Sequence, residues 1–380
     1  MVPVLATTVL ALLAATAAFG LSVDEEPHEA AACAALKTRR GWHTLTDAEK
    51  KAYLDAELCL MKTPSTSGIR GARTKFDDFQ AAHVLQMEIA HFVGQFLPFH
   101  RLFVWAHEQA LQNSCGYTGA QPYWDETLDA GAFSKSPILD SILGFGGDGT
   151  GPNNCIETGP FANYTNPLGP GYAINDHCID RQISDAQSAA ASPSVVARCM
   201  NTTRYLDFWP CVEGGPHGAG HGGIGAQMLN PISSPGDPLF FLHHTWLDRI
   251  WAQWQDGDPA ARLKDMGGNN RQNLSAMPTG PFPTGGFPGG FPWGTVLPTA
   301  TGSASQTRTG MPPVGTGAPG GFNMPGMNMT RPADVPEPEV VGDPGNVTTL
   351  THLVYLYGLV QNRTVGELMD TRGFLCYEYD

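Results

Sequence analysis

The 380-residue sequence lacks two features that would have indicated common classes of protein. None of its eight cysteines forms a C-x-x-C pair, a usual spacing of thiolate ligands to a metal. Lys and Arg together number 22 against 36 Asp and Glu, so the net charge is −14, and no basic cluster is present. Such a chain repels polyanions, and we therefore expect no nucleic acid among its partners.

A long hydrophobic run occurs only once, from Val2 to Phe19. Small residues stand at its end, at 15–18, and acidic ones follow at 24–26, as in a signal peptide with its cleavage site. A membrane anchor is the alternative, but the run is marginal in length for a span. We predict that residues 1–20 are a signal peptide and that the mature protein is secreted, extracellular and free of the membrane.

Two further patterns fit a secreted chain. The even number of cysteines favours disulfide bonds, at most four, although the sequence does not determine their pairing. Six N-x-S/T sequons could carry glycans. We therefore expect a disulfide-bonded glycoprotein, with sequons at Asn163, Asn201, Asn273, Asn328, Asn346 and Asn362.

One segment differs in composition from the rest. Gly and Pro supply 29 of the 69 residues in 277–345, which contains no cysteine and no apolar periodicity. We predict a flexible Gly/Pro-rich insertion there, within a catalytic domain formed by 21–276 and 346–380. The chain regains an apolar pattern after the insertion, and its end is expected to return to the core through Cys376.

Helical signals dominate the remainder. Thr46 and Glu49 form a capping-box pair, and Asp237 with Pro238 is a typical helix start. Apolar residues recur at helical spacing in four segments, while strand-like runs are few. The sequence predicts a mainly α fold, a four-helix bundle with long loops and few short strands, its helices at about 46–61, 75–90, 99–113 and 239–255.

Seven of the twelve histidines fall in two windows. His217 and His221 are four residues apart, so on a helix their rings share one face. The other window spaces its histidines by eight and nine residues, which one continuous helix would point in different directions. Pro98 removes this difficulty, because it begins a new helix and leaves His91 on a connecting segment. Each window can supply three convergent imidazoles: His83, His91 and His100 in the first, and His217, His221 and one of the adjacent pair His243 and His244 in the second.

The residues around these histidines narrow the choice of metal. A zinc protease would read H-E-x-x-H, whereas Gly218-Ala219-Gly220 separates the close pair here. A di-iron bundle needs two E-x-x-H pairs, and only Glu88 with His91 provides one. Imidazole ligands alone suit copper or zinc, and the affinity of nitrogen sites is highest for copper.

Four sequence motifs resemble the copper motifs of tyrosinases and polyphenol oxidases, most closely those of short secreted fungal forms. The resemblance implies two copper ions, the first bound by His83, His91 and His100 and the second by His217, His221 and His244. It also implies dioxygen and small phenols as partners. The motifs are Phe96-Leu97-Pro98-Phe99-His100-Arg101, Gln121-Pro122-Tyr123-Trp124-Asp125, Pro216-His217-Gly218-Ala219-Gly220-His221 and Asp237-Pro238-Leu239-Phe240-Phe241-Leu242-His243-His244.

The same resemblance assigns roles, and absences, to other residues. Glu213 matches the carboxylate that holds a water and assists phenol deprotonation in relatives. Relatives active on monophenols often carry Asn where this chain has Gly218, and Gly222 follows the next ligand. Many fungal relatives form a thioether through a cysteine where this chain has Ile89, so no such cross-link is expected.

Several neighbours of the ligands are expected to support them. His243 points away from His244 on a helix and is interpreted as a hydrogen-bonded neighbour rather than a ligand. Asp248, four residues after His244, is a candidate anchor that pairs with Arg101. His107 lies too far along its helix from His100 to share a metal, so we predict that it belongs to the core.

These features together predict a type-3 copper oxidase that converts o-diphenols to o-quinones while reducing O2 to water. A tyrosinase with monophenol hydroxylase (monooxygenase) activity and an o-aminophenol oxidase are alternatives on the same scaffold. A reversible oxygen carrier of the haemocyanin kind would also use six histidines. Small size, the sequons and the glycine-lined second site argue against the carrier, and an inactive structural relative is the remaining alternative.

Overall fold

The computed structural model describes residue 33, residues 35–272 and residues 330–380. The predicted mainly α fold is confirmed, with strands that are few and short. The helices are α1 Asp47–Leu60, α2 Lys75–Ala90, α3 Phe96–Cys115, α4 Asp185–Ser188, α5 Pro193–Met200, α6 Tyr205–Val212, α7 Gly218–Ile224, α8 Ala226–Leu229, α9 Leu239–Asp256, α10 Pro259–Arg262 and α11 Val365–Leu368.

The strands form two-stranded ladders at the periphery. β1 pairs in parallel with β8, so that Lys37 lies opposite Tyr377, and this ladder brings the end of the chain back to the first residues that the structure describes. The other pairs, β2 with β3, β4 with β5 and β6 with β7, are antiparallel. The strands are β1 Lys37–Arg39, β2 Gly149–Thr150, β3 Cys155–Ile156, β4 Thr165–Leu168, β5 Ile174–Cys178, β6 Leu353–Val354, β7 Arg363–Thr364 and β8 Tyr377–Tyr379.

Side-chain caps fix where three of the four long helices begin, and α3 is the exception. Thr46 and Glu49 form the predicted capping box at α1, and Thr74 with Asp77 forms another at α2. At α9 the Asp237 carboxylate accepts the main-chain N–H of Leu239 at 3.0 Å. These caps satisfy N–H groups that have no partner within the helix, and they set the registers that carry the histidines.

The start of α3 was predicted incorrectly. The helix begins at Phe96 rather than at Phe99, with Pro98 inside its first turn. Proline is tolerated there because the first N–H groups of a helix lack an intrahelical acceptor. The break between helices comes earlier, at His91, whose backbone is extended (φ −128°, ψ 147°).

Aromatic side chains fill the space between α2, α3 and α9. Phe103 of α3 stacks on Phe241 of α9 with ring centroids 5.9 Å apart and planes 5° from parallel. Phe79 of α2 meets both rings edge-on. His107, predicted to be a core residue, is fully buried and lies 3.5 Å from Phe241, nearly parallel to it. This packed layer holds the helices that surround the histidines.

All eight cysteines are paired, so none is left to bind a metal. The bond between Cys33 and Cys376 fastens the beginning of the described chain to its end, beside the β1–β8 ladder. The three remaining bonds close local loops and join Cys59 to Cys115, Cys155 to Cys178, and Cys199 to Cys211.

The predicted insertion, 277–345, is described only from residue 330 onward. Those residues contact the helical body, for example through an ion pair of Arg331 with Glu88 at 3.0 Å and a hydrogen bond from Asn270 to Asp343 at 2.9 Å. The rest of the insertion and the predicted signal peptide lie outside the described residues. No described helix has both the length and the apolar character needed to cross a membrane.

Candidate metal centre

Three histidines of the first window meet at one buried point. His83 comes from the middle of α2, His91 directly follows that helix, and His100 lies in the second turn of α3. The ring centroid of His91 is 5.0 Å from that of His83 and 5.2 Å from that of His100. Their candidate ligand atoms lie within 4.8 Å of one another, which is close enough to share one metal ion.

The chain reverses sharply after His91. Phe92 adopts the left-handed region (φ 55°), which is uncommon for a bulky residue and costs about 1–3 kcal/mol. Its carbonyl accepts a hydrogen bond from Asn269 at 3.2 Å, which helps to hold the turn. This reversal directs the imidazole of His91 toward the other two. On the sequence alone, this change of chain direction is attributed to Pro98.

The second group of histidines comes from two helical segments. His217 ends a π-helical turn, Glu213–His217, whose irregular backbone contains Pro216, and His221 lies one turn later in α7. His244 projects from the first half of α9. The ring of His217 is 4.4 Å from that of His221 and 5.3 Å from that of His244, centroid to centroid.

One nitrogen of most of these imidazoles is fixed by the main chain. In five of them Nδ1 faces a carbonyl oxygen, so Nδ1 carries the proton and Nε2 has a free lone pair. The Nε2 atoms of His83, His100 and His217 are buried and have no hydrogen-bond partner among the described residues. The acceptors are the carbonyls of Ile232 for His83, Met87 for His91, Phe96 for His100, Glu213 for His217 and Met228 for His221.

The two groups lie against each other. The rings of His100 and His244 stack at 4.1 Å with planes 12° apart, although they belong to different groups. The Nε2 atoms of His221 and His244 are 3.3 Å apart. Two nitrogens bound to one metal at about 2 Å each would be separated by roughly this distance. The arrangement can hold two metal ions side by side.

Burial keeps the imidazoles neutral. Loss of hydration, together with a smaller effect of a neighbouring imidazole, lowers the pKa of His91 to about 3 and that of His221 to about 4. The pKa values of His83, His100, His217 and His244 are also well below the usual range, for the same first cause. Neutral imidazole is the form that binds a metal.

His243 also lies at the second group, and its candidate ligand atom clusters with those of His217, His221 and His244. Its Nδ1 is 2.5 Å from a carboxylate oxygen of Glu126. The ring rests on Gly220, where an added Cβ would lie 2.2 Å from that Nδ1. Gly220 is therefore required for His243 to reach Glu126. Within the two groups, His243 makes ring contacts with the second only, whereas His244 faces both.

Glu213 stands beside both groups. It is 4 % exposed, and loss of hydration raises its pKa to about 8, although two hydrogen bonds favour the charged form. The main-chain N–H of Phe92 donates to Oε1 and the indole N–H of Trp209 donates to Oε2, each at 2.6 Å. A bound metal cation nearby would lower this pKa again.

A narrow cavity of about 20 Å³ opens onto the histidines. The walls of this mouth consist of three imidazoles, three apolar side chains and one carboxyl group, with no amide side chain. A larger cavity of about 330 Å³ lies elsewhere, near the C-terminus, and contains no histidine, so size does not locate the site. The residues that line the mouth are His91, Phe92, Glu213, His217, His221, Leu229 and Pro231.

Sequence reasoning missed several residues of this site. Phe92, Leu229 and Pro231 line the mouth, Trp209 holds Glu213, and Glu126 holds His243. Trp209 lies one helical turn before Glu213, a spacing that could have indicated the contact. Glu126 directly follows the motif 121–125, but nothing in the sequence relates it to His243.

The other predicted site residues are also buried at the centre. Arg101 donates from Nε to Asp248 at 2.5 Å, so the structure places these two side chains together. Gly218 follows His217, Gly222 follows His221, and both glycines are buried in α7. Ile89 is buried in α2, two residues before His91, where it contributes no sulfur.

The donor set fits copper: six neutral imidazoles in two adjacent groups, three of them with a buried Nε2 that has no partner, and no thiolate or carboxylate in either group. A dry, aromatic shell surrounds them, including Phe240 at 4.1 Å from His244 and Phe96 at 4.8 Å from His217, centroid to centroid. Fold and site together define a class of metalloprotein in which histidines hold the metal.

Comparisons with known proteins identify the family. Residues 73–257, which span all six histidines, match the family model of the common central domain of tyrosinase. A tyrosinase of Aspergillus flavus, ustQ, is 34% identical over 284 residues, which cover 71% of this chain and 78% of that protein. A tyrosinase-like protein of Diaporthe leptostromiformis, phomQ1', is 36% identical over 259 residues, 62% of this chain and 68% of that protein.

A solved structure agrees with the sequence relatives. A polyphenol oxidase variant from Thermothelomyces thermophila superposes with a TM-score of 0.66 at 27% identity, covering 91% of this chain and 89% of that one. The chain belongs to the tyrosinase family, and it is a type-3 copper oxidoreductase by fold and by site.

Proposed function

We propose that the protein is a secreted oxidase that binds two copper ions and oxidises two o-diphenols to two o-quinones for each O2 reduced to two water molecules. The observation that supports this specificity is Gly218, which follows the first ligand of the second group and offers no side chain to the mouth. Small phenols and dioxygen are the partners of this reaction, and no nucleic acid is involved.

The histidines and the shell around them have distinct tasks. His83, His91 and His100 would hold one copper, and His217, His221 and His244 the other. Copper, when bound, supplies the binding of O2 and the transfer of electrons from the phenol. The main-chain carbonyls fix each ring, and the aromatic shell keeps bulk water away from the metals.

Glu213 is the proposed proton acceptor. Its carboxylate lies at the mouth beside His91 and His217, so a phenol entering there meets an oxygen that can receive its hydroxyl proton. Behind the ligands, Asp248 with Arg101 and Glu126 with His243 hold α9 in place. These assignments separate the group that takes a proton from those that position the metals.

Gly218→Asn is expected to raise activity on a monophenol about fivefold relative to activity on catechol. An amide at this place could hold a water together with Glu213, a hydrogen bond worth about 1 kcal/mol. The measurement is initial oxygen uptake with each substrate, and Gly218→Ala is the matched control without an amide. If the two variants have the same ratio of monophenol activity to catechol activity, Gly218 does not determine the specificity.

Relatives named tyrosinase, such as that of Aspergillus flavus, support monophenol hydroxylation as the second candidate function. The deciding experiment compares oxygen uptake by the copper-loaded protein on catechol, a monophenol and an o-aminophenol. We expect rapid oxidation of catechol alone. Monophenol oxidation without a lag and as fast as that of catechol would establish a tyrosinase instead. If no substrate causes oxygen uptake, the remaining alternatives are an oxygen carrier and an inactive relative.

Secretion predicts that glycans are attached. Four sequon asparagines lie among the described residues, and all four are exposed: Asn163, Asn201, Asn346 and Asn362. Protein secreted from a fungal host is expected to lose mass on treatment with an N-glycosidase, and a variant with Gln at all four positions should lose less. An unchanged mass of the untreated and treated protein would contradict the proposed glycoprotein.

A further inference from the structure

We propose that Trp209 is a positioning residue for the reaction: its indole N–H, together with the main-chain N–H of Phe92, fixes the Glu213 carboxylate in the orientation that receives the phenol proton. This inference rests on the proposed function of Glu213. Nothing in the motifs that indicate the family includes Trp209.

The two donors hold both oxygens of one carboxylate. Phe92 N–H lies 2.6 Å from Oε1 and Trp209 Nε1 lies 2.6 Å from Oε2, short distances that are typical of charge-assisted hydrogen bonds. Each carboxylate oxygen has a second lone pair that remains available. Rotation of the carboxylate would break both bonds, so the position of the free lone pairs is set by the two donors.

Phe92 and Glu213 belong to opposite halves of the site. Phe92 directly follows His91 of the first group, whereas Glu213 precedes His217 of the second by one turn. Oε1 is therefore held by the segment that carries a ligand of one metal, and the Glu213 main-chain carbonyl holds a ligand of the other. The carboxylate is positioned with respect to both metals at once.

The Trp209 ring is itself held firmly. It is 8 % exposed and stacks with Tyr205, centroids 6.2 Å apart. Gly268, whose φ is +94°, brings its backbone against the ring, and a Cβ there would lie 2.6 Å from the indole. Tyr205 donates its hydroxyl to the carbonyl of Gly94 at 2.6 Å, which ties this layer to the turn after Phe92.

Trp209 has no direct role in metal binding. Its described ring stacking is with Tyr205, and it stacks on no imidazole of either group. Removing its N–H therefore leaves the ligands in place but leaves Oε2 of a buried carboxylate without a donor. The carboxylate can then rotate, and the free lone pair no longer points to the mouth.

The test is a double-mutant cycle on the copper-loaded, full-length protein. Trp209→Phe is expected to lower kcat on catechol about tenfold, as for a lost hydrogen bond to a charged group, with KM within about twofold and copper content unchanged. Trp42→Phe is the matched control, because Trp42 is also buried and its indole N–H has no partner in the described chain. Glu213→Gln combined with Trp209→Phe should be no slower than Glu213→Gln alone.

A second measurement does not depend on activity or on the stability of the phenylalanine variant. Benzothienylalanine at position 209 keeps the shape of the ring and lacks the N–H, so it assigns the Trp209 signal among the eight indole N–H resonances of the metal-free protein. That resonance is expected to move upfield in Glu213→Gln, while the signal of Trp42 stays in place.

The outcomes are distinct. A kcat for Trp209→Phe equal to that of Trp42→Phe, additive losses in the double variant, or an indole resonance that ignores Glu213→Gln would each overturn the positioning role. A wild-type protein without catechol-dependent oxygen uptake would instead overturn the proposed function and with it the catalytic meaning of the contact, while the resonance would still report whether the contact exists.

Discussion

His244→Asn is expected to reduce bound copper from two ions per chain to about one and to lower catechol oxidation by at least ~10³-fold. The reason is that His244 stands between the two groups, with its ring on His100 and its Nε2 3.3 Å from that of His221. Loss of a metal that contributes several kcal/mol to the reaction corresponds to a decrease of this size. Copper is counted by elemental analysis after gel filtration, and the rate is taken from oxygen uptake.

The neighbouring residue provides the matched comparison. His243→Asn removes an imidazole of equal burial from the same helix, but one whose Nδ1 is bound to Glu126 and whose ring meets only the second group. We expect this variant to retain close to two copper ions and to lose stability rather than metal. If instead His243→Asn loses a copper and His244→Asn does not, the assignment of the sixth ligand is reversed.

The histidines could be located from the sequence because the information is local. His217 and His221 are one helical turn apart, and the caps at Thr46 and Asp237 lie a few residues from the helices that they begin. The family resemblance then favoured His244 over His243 as the sixth ligand. For the first window, however, the predicted cause of the change in chain direction was wrong. The chain turns at His91 and Phe92, and Pro98 is only tolerated inside α3.

The missing parts of the site depend on contacts between distant residues. Phe92 meets Glu213 across 121 positions, and Glu126 meets His243 across 117. No periodicity in a single sequence encodes such contacts, because they follow from how the helices pack. A left-handed backbone at Phe92 is also unexpected from its residue type, since this conformation favours glycine and asparagine. The strain is consistent with a functional position.

The contacts of the C-terminus are a second example of what the sequence alone could not predict. Cys376 indicated that the end of the chain rejoins the core, but its partner Cys33 and the parallel ladder with β1 could not be derived. The ladder brings Tyr377 and Tyr379 to a carboxylate four residues beyond His244. One buried group thereby connects strands β1 and β8 to the helix that carries His244, a proposed copper ligand.

That group is Asp248, and Asp248→Asn is expected to lower the free energy of unfolding by about 3 kcal/mol. Its carboxylate accepts Nε of Arg101 and the hydroxyls of Tyr377 and Tyr379, each at 2.5 Å, and it lies 3.4 Å from a guanidinium nitrogen of Arg39. Removing one charge from a buried ion pair leaves the other uncompensated. Arg101 would remain buried with only carbonyl, amide and aromatic partners.

The measurement is the guanidinium-induced unfolding transition with all disulfides intact. Asp55→Asn is the matched control, since Asp55 pairs with Lys51 on the surface of α1, where such pairs contribute little. Because α3 and α9 are joined through Arg101 and Asp248, the Asp248 variant should also release copper at a lower denaturant concentration than the wild type. Equal stability of the Asp248 and Asp55 variants would show that the hydroxyls and carbonyls around Arg101 suffice, and that the charge of Asp248 does not hold α9 against α3.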